Sequence, residues 1–326
     1  IVSSNYSIWI GRGALSQLET SSYSKVAILV DENTKMYCLE KIPTINHAII
    51  IEIKSGEENK NLKTCNIIWQ ELTNHEFDRN SLLINLGGGV IGDIGGFCAS
   101  CYKRGIKFIH IPTTLLAMAD ASVGGKLGVD FNNIKNQIGL FANPKTIIVN
   151  TDFLKTLPEK ELQAGFAEVV KHALISDINL WRIIKDSDFK KLKWEEIIIY
   201  SIEIKNKIIT NDPLEINERK KLNFGHTFGH AIESYYLNHG TPIRHGEAVL
   251  MGIILETEIS NLTRLEKKEI KDYILSNFIL PYTPEKKELI NFLKNDKKNK
   301  NKKISFSLLN GIGSCSVDNL LSEDEL

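Results

Sequence analysis

The hydrophobic rhythm of this chain changes about halfway along its length, and that change limits the folds open to it. In the first half, short apolar runs alternate with helical stretches. The runs are Lys25–Val30 (KVAILV), His47–Ile53 (HAIIIEI), Ser81–Leu86 (SLLINL), Lys107–Ile111 (KFIHI) and Thr146–Val149 (TIIV). Most are continuously apolar, as expected of strands covered by helices on both faces. Strands alternating with helices predict a parallel α/β domain. From about Pro158 the period becomes helical, over Lys160–Ile175, Trp194–Thr210, Phe228–Tyr236 and Ala248–Ile259. Strand signals return only at Ile304–Leu309. The expected division is an α/β domain over 1–157 and an all-α domain over 158–326. A length of 326 residues accommodates both.

Composition narrows the function classes. Lys+Arg 40 balances Asp+Glu 40, so no broad basic face is available for nucleic acid. No apolar run reaches the ~18–20 residues of a membrane span, and the opening IVSSNYSIWIGRG lacks the pattern of a signal peptide. Five cysteines suit a reducing compartment, hence a cytoplasmic expectation. The tract Lys294–Lys303 (KNDKKNKNKK) reads as a solvated basic loop.

The run Ser81–Leu86 leads into Gly87-Gly88-Gly89-Val90-Ile91-Gly92-Asp93. Glycines at 87, 89 and 92, after a strand and before a helix, let backbone approach a pyrophosphate on helix N-terminal N–H groups. The acid that a standard dinucleotide unit carries about twenty residues on is missing: the next strand ends in Ile111-Pro112-Thr113-Thr114. An acid follows the earlier strand instead, in Asp31-Glu32-Asn33. The loop is therefore a candidate nucleotide site with its parts in an unusual order, or a tight strand-to-helix turn.

Histidines and carboxylates cluster in the second half. His226 and His230 are spaced i,i+4 in Asn223-Phe224-Gly225-His226-Thr227-Phe228-Gly229-His230, on one face of a helix. His245 follows in His245-Gly246-Glu247, and Glu168 and His172 form another i,i+4 pair. A carboxylate and two imidazoles with one position open suit a catalytic zinc ion. Spacing alone leaves open which residues bind, or whether some histidines only donate hydrogen bonds. Cys98 and Cys101 match C-x-x-C among small residues and read as close helix packing. Asp120 and Lys126 flank a Gly-Gly turn, Lys135-Asn136 follow, and Lys205, Arg219 and Asn223 precede the histidine pair. Together they suggest an anionic, polyhydroxylated substrate bearing phosphate or carboxylate.

Several segments resemble the 3-dehydroquinate synthase family, of the sugar phosphate cyclase superfamily and the shikimate pathway. They are SGEENK (Ser55–Lys60), GGGVIGDIGGF (Gly87–Phe97), YKRGIKFIHIPTTLLAMADASVGGK (Tyr102–Lys126), KNQIG (Lys135–Gly139), FLKTLP (Phe153–Pro158), AEVVKH (Ala167–His172), LNFGHTFGHAIE (Leu222–Glu233) and RHGEAV (Arg244–Val249). The resemblance implies a Rossmann-like NAD-binding domain and a helical metal- and substrate-binding domain. It implies a lyase that converts 3-deoxy-D-arabino-heptulosonate 7-phosphate to 3-dehydroquinate and phosphate. The steps are transient oxidation by NAD, phosphate elimination, re-reduction and aldol cyclisation.

The same resemblance implies that Glu168, His226 and His245 hold Zn²⁺ or Co²⁺. NAD contacts carry over to Asp31, Asn33, Glu57, Lys60, Gly87, Gly88, Gly89, Val90, Asp93, Thr113, Thr114, Lys126, Lys135, Phe153 and Thr156. Substrate or catalytic roles carry over to Asp120, Lys126, Asn136, Lys171, Lys205, Arg219, Asn223 and His230. One late lysine of Asp296-Lys297-Lys298, assigned to Lys298, joins them. Arg104 is expected to act across a homodimer interface. Leu127 departs from the family, which usually has Thr there. The rivals are an inosose- or valiolone-type cyclase, whose substrates lack the carboxylate, and a metal-dependent polyol dehydrogenase.

Overall fold

The computed structural model describes residues 1–3, 6–132, 134–294 and 303–326, in two compact units, Ile1–Leu162 and Gln163–Leu326. The first unit contains strands β1 (Val2–Ser3), β2 (Tyr6–Ile10), β3 (Val26–Asp31), β4 (Ile49–Ile53), β5 (Leu82–Gly87), β6 (Lys107–Pro112), β7 (Lys126–Phe131), β8 (Ile134–Phe141) and β9 (Thr146–Val149). Its helices are α1 (Glu32–Tyr37), α2 (Leu62–Asn74) and α3 (Gly89–Cys101). Seven strands form one sheet in the order β1-β2-β9-β6-β5-β3-β4, parallel except for the β1–β2 pair.

All six residues of β5 are buried, which explains why this strand reads as unbroken apolar sequence. Helix α3 lies close above it: a Cβ on Gly95 would come within 2.6 Å of Asn85 Cγ and 2.8 Å of Leu29 Cδ2. On the same helix, Gly96 leaves room for Leu127, whose Cδ1 would lie 3.0 Å from an added Cβ. The departure at Leu127 is thus a packing change. Leucine supplies apolar surface to the core formed with Ile94, Phe97 and Val129.

The strands foreseen from apolar runs are present at Val26–Asp31, Ile49–Ile53, Leu82–Gly87, Lys107–Pro112 and Thr146–Val149. Strand β2 and the antiparallel β7–β8 hairpin have no counterpart among those apolar runs. In β8 six of eight residues are exposed and none is fully buried, so no inward-facing alternation marks it as a strand.

The second unit comprises the rest of α4 (Glu159–Ser176), then α5 (Ile178–Lys185), α6 (Trp194–Asn211), α7 (His226–Asn238), α8 (His245–Ile259), α9 (Arg264–Asn277) and α10 (Lys286–Lys294). It is not wholly helical: β10 (Ile304–Leu309) pairs antiparallel with β11 (Cys315–Leu321). The hairpin forms because Ile304, Phe306 and Leu308 join the apolar core of Phe228, Met251 and Leu293. Helices α7 and α8 meet through small residues, since a Cβ on Gly252 would lie 2.7 Å from the Gly229 nitrogen. All five cysteines are free; Cys98 is buried, as its packing reading expects, whereas Cys101 is exposed and does not fit that reading. Among the described residues no helix is long and apolar enough to cross a membrane.

Candidate metal centre and dinucleotide edge

Strand ends gather the candidate cofactor residues of the first unit. The C-terminal ends of the parallel strands β3, β5, β6 and β9 lead into Asp31, Gly87-Gly88, Thr113-Thr114 and the turn Thr151–Thr156. This is the edge at which open parallel sheets bind ligands. Gly88 is the N-cap of α3 and has no side chain to cap it, so the Gly89, Val90 and Ile91 amides begin the helix without one. Thr113 donates its backbone N–H to the Gly87 carbonyl at 3.0 Å, and Thr114 packs against Gly88. Asp31 caps α1 by accepting from the Thr34 amide at 2.7 Å, and Asn33 is exposed on that helix. Phe153 is buried and Thr156 exposed in their turn, with Lys41 lying over the Phe153 ring and donating to Thr156.

Lys60 is 4% exposed and sits among three carboxylates. Its Nζ is 2.7 Å from Glu57, 3.3 Å from Asp93 and 3.9 Å from Asp130. Burial opposes its charge, but Asp93, Glu57 and Asp130 together outweigh that and raise its pKa. Three sequence-predicted residues thus converge, and Asp130 joins them unforeseen. Asp130 also accepts the Asn136 amide at 2.8 Å, and Asn136 holds a left-handed φ of 50°. Lys126 and Lys135 are exposed on the same hairpin, while Asp120 is half-buried in the turn Ala117–Ala121.

In the second unit, three helices bring together three ligands of two types. Glu168 lies on α4, and His226 and His245 open α7 and α8. One ligand atom from each lies within 4.8 Å of the others. Both histidine Nε2 atoms are 3.4 Å from Glu168 Oε1. Gly246 allows this approach, because it packs directly on the α4 backbone at Ala164, one turn before Glu168. Neither oxygen of the buried Glu168 carboxylate accepts a well-directed hydrogen bond among the described residues. Lys171 forms an ion pair with it.

Electrostatics divides the two histidines. Burial raises the Glu168 pKa, but Lys171 and His226 overcome this and hold it well below the usual carboxylate range. Burial lowers the His226 pKa, with Glu168 opposing only in part. Burial also disfavours the His245 cation, yet the Glu233 and Glu168 carboxylates push its pKa up to about 10.

His230 stands beside the cluster, its ring centroid 5.4 Å from that of His226. His172 is buried, with Nδ1 2.6 Å from Ser201 Oγ. Lys171 and Lys205 are buried, as is Arg219, which donates to the Pro213 carbonyl at 2.6 Å. Asp212 accepts the Ile216, Asn217 and Arg219 amides and so fixes that loop. Asn223 donates to Glu215 at 2.8 Å. Arg104 is exposed on a turn with φ 67°. Lys298 and its two neighbours lie outside the described residues.

Asp212, Glu215 and Glu233 were not foreseen. Glu233 carried the only usable signal, seven residues after His226 and hence on the same helix face.

This chain, with a parallel-sheet unit and a helical unit, has a fold also seen in solved sugar phosphate cyclases. The chain matches the structure of 2-epi-5-epi-valiolone synthase from Streptomyces hygroscopicus subsp. jinggangensis, solved with NAD⁺ and Zn²⁺ bound. The TM-score is 0.87 at 23% identity, covering 100% of this chain and 95% of the other. It also matches 2-deoxy-scyllo-inosose synthase complexed with carbaglucose-6-phosphate, NAD⁺ and Co²⁺, with TM-score 0.83 and 22% identity over 98% and 94% of the two chains. Sequence narrows the class. Residues 50–164 match the 3-dehydroquinate synthase N-terminal family and residues 165–299 its C-terminal counterpart. The 3-dehydroquinate synthase of Parabacteroides distasonis is 37% identical over 323 residues, 95% of this chain and 91% of that protein. The chain belongs to the 3-dehydroquinate synthase family.

Proposed function

We propose that the chain converts 3-deoxy-D-arabino-heptulosonate 7-phosphate to 3-dehydroquinate and phosphate, with NAD recycled and Zn²⁺ or Co²⁺ held by Glu168, His226 and His245. The observation that carries this reading is the convergence of those three ligand atoms within 4.8 Å in a member of this family. One oxygen and two nitrogen donors suit a catalytic site that keeps a position open. Held by these residues, the cation would supply Lewis acidity towards substrate oxygens, and NAD would supply reversible hydride transfer.

The chain's own residues supply binding and orientation, which dominate when a flexible, charged molecule must be held in one conformer. In the first unit, Asp31, Asn33, Thr113, Thr114, Phe153, Thr156 and the Gly87–Val90 turn receive the dinucleotide. Glu57, Lys60, Asp93 and Lys135 complete that set. Lys126 contacts both NAD and the substrate. With Asn136 it holds phosphate, beside Asp120. In the second unit, Arg219 and Lys205 hold the substrate carboxylate with Asn223, and Lys171 keeps Glu168 ionised. His230, adjacent to His226, handles a proton near the leaving group.

Arg219 separates this reading from the other cyclases, whose substrates lack a carboxylate. A charge-assisted contact is worth roughly 1.5–3 kcal/mol, on the order of tenfold to a hundredfold. Arg219→Ala should lose that much kcat/KM with the heptulosonate and little with an analogue lacking the carboxylate. Equal losses with both compounds would assign Arg219 to the fold. We further propose that the enzyme is a homodimer in which Arg104 serves the neighbouring subunit.

A further inference from the structure

We propose that Glu233 is a positioning residue for the metal centre, holding His245 through Nδ1 so that Nε2 presents its lone pair to the ion. The proposal rests on the reading of Glu168, His226 and His245 as metal ligands.

The two histidines are arranged alike. Each directs Nε2 to Glu168 Oε1 at 3.4 Å, and each has an acceptor at its other ring nitrogen. For His226 that acceptor is the Phe224 carbonyl, 3.1 Å from Nδ1. For His245 it is Glu233 Oε1, 3.4 Å from Nδ1. An oxygen with no hydrogen to give can only accept, so the ring proton belongs on Nδ1 and Nε2 is left to ligate. The two arms differ in charge, since a carbonyl is neutral and Glu233 is a carboxylate whose side chain is 10% exposed. A carboxylate behind an imidazole fixes its orientation and raises its basicity as a ligand.

The fold accounts for the placement. Glu233 lies two turns after His226 on α7, and His245 opens α8, which packs on α7 through Gly229 and Ala248. Helix α7 thus carries one ligand and the group that orients the other.

The test is competition between the protein and a chelator for Co²⁺, followed by the visible absorption of the bound ion, on the full chain. Parent, Glu233→Gln and Glu233→Ala are compared, with folding checked by far-UV circular dichroism. Loss of the carboxylate should weaken Co²⁺ binding 10–100-fold and change the band intensities that report ligand geometry. Glu233→Gln keeps the side-chain shape, so it tests the charge even where Glu233→Ala fails to fold. Parent-like affinity and an unchanged spectrum in a folded Glu233→Gln variant would overturn the proposal. Failure of the parent itself to bind Co²⁺ would instead remove the metal reading beneath it.

Discussion

Replacing Gly246 by alanine disturbs the proposed metal centre while leaving every ligand in place. Gly246 follows His245 in the first turn of α8 and packs on α4 at Ala164, four residues before Glu168. A Cβ at this position would fall on the Ala164 carbonyl oxygen and Cα, and 2.6 Å from the carbonyl carbon. These are backbone atoms, so no side-chain rotation relieves the overlap. Ordinary contact requires about 3.5 Å, so α8 must retreat from α4 by about 1 Å. Helix propensity alone favours alanine by about 1 kcal/mol, which makes the sign of the result informative. Overpacking costs about 1–3 kcal/mol and sometimes more. With backbone on the receiving side we expect a net loss of about 2 kcal/mol, or about 4–8 °C in melting temperature for a unit of this size. His245 would move off its 3.4 Å approach to Glu168, and Co²⁺ affinity should fall by about tenfold or more. Thermal melts of the metal-free protein and chelator competition measure the two effects. Gly13→Ala is the control, because Gly13 has an ordinary φ of −87° and no atom within 4 Å of an added Cβ. An unchanged melt and unchanged Co²⁺ affinity for Gly246→Ala would refute the claim that this helix contact sets the ligand geometry.

Two further outcomes follow from the same structure. His110 is 3% exposed, and burial pushes its pKa down to about 4. Against the ordinary value of about 6.5 this gap corresponds to about 3 kcal/mol, present above pH ~6.5 and lost as the pH falls towards ~4. His110→Gln, which keeps an acceptor for Asn85, should lose correspondingly less stability over that window in urea unfolding; identical acid sensitivity would exonerate His110. For the proposed dimer, Arg104→Ala and Glu168→Ala should each be nearly inactive alone, and joint refolding should restore about a quarter of the sites. No restored activity, with wild type refolding well, would place Arg104 in its own subunit's chemistry or outside it.

Much of this architecture is legible in the sequence because burial on two faces leaves a continuous apolar run. Strand β9, foreseen as Thr146–Val149, has the bounds read from that run. Where burial does not impose a pattern, reading fails. Strand β8 is exposed along most of its length, and the hairpin therefore shows no apolar run or alternation by which to read it. The histidines show a different limit. Spacing places His172 one turn beyond Glu168, as it places His230 one turn beyond His226, but it does not say what packs on each face. In the fold Ser201 of α6 takes His172 Nδ1, while α8 brings His245 to Glu168. Asp130, in strand β7, and Glu233, on helix α7, escaped notice because an isolated acid ordinarily reads as a solvated surface group.

The proposed reaction is a redox-neutral elimination in which NAD is recycled. It is tested most directly by incubating the metal-loaded protein with 3-deoxy-D-arabino-heptulosonate 7-phosphate and substoichiometric NAD⁺, following phosphate release and nicotinamide absorbance together. Many phosphates released per NAD⁺, formation of 3-dehydroquinate and no lasting NADH signal are expected. NADH accumulating in step with product, or NAD⁺ consumed without phosphate release, would contradict it and point to a polyol dehydrogenase.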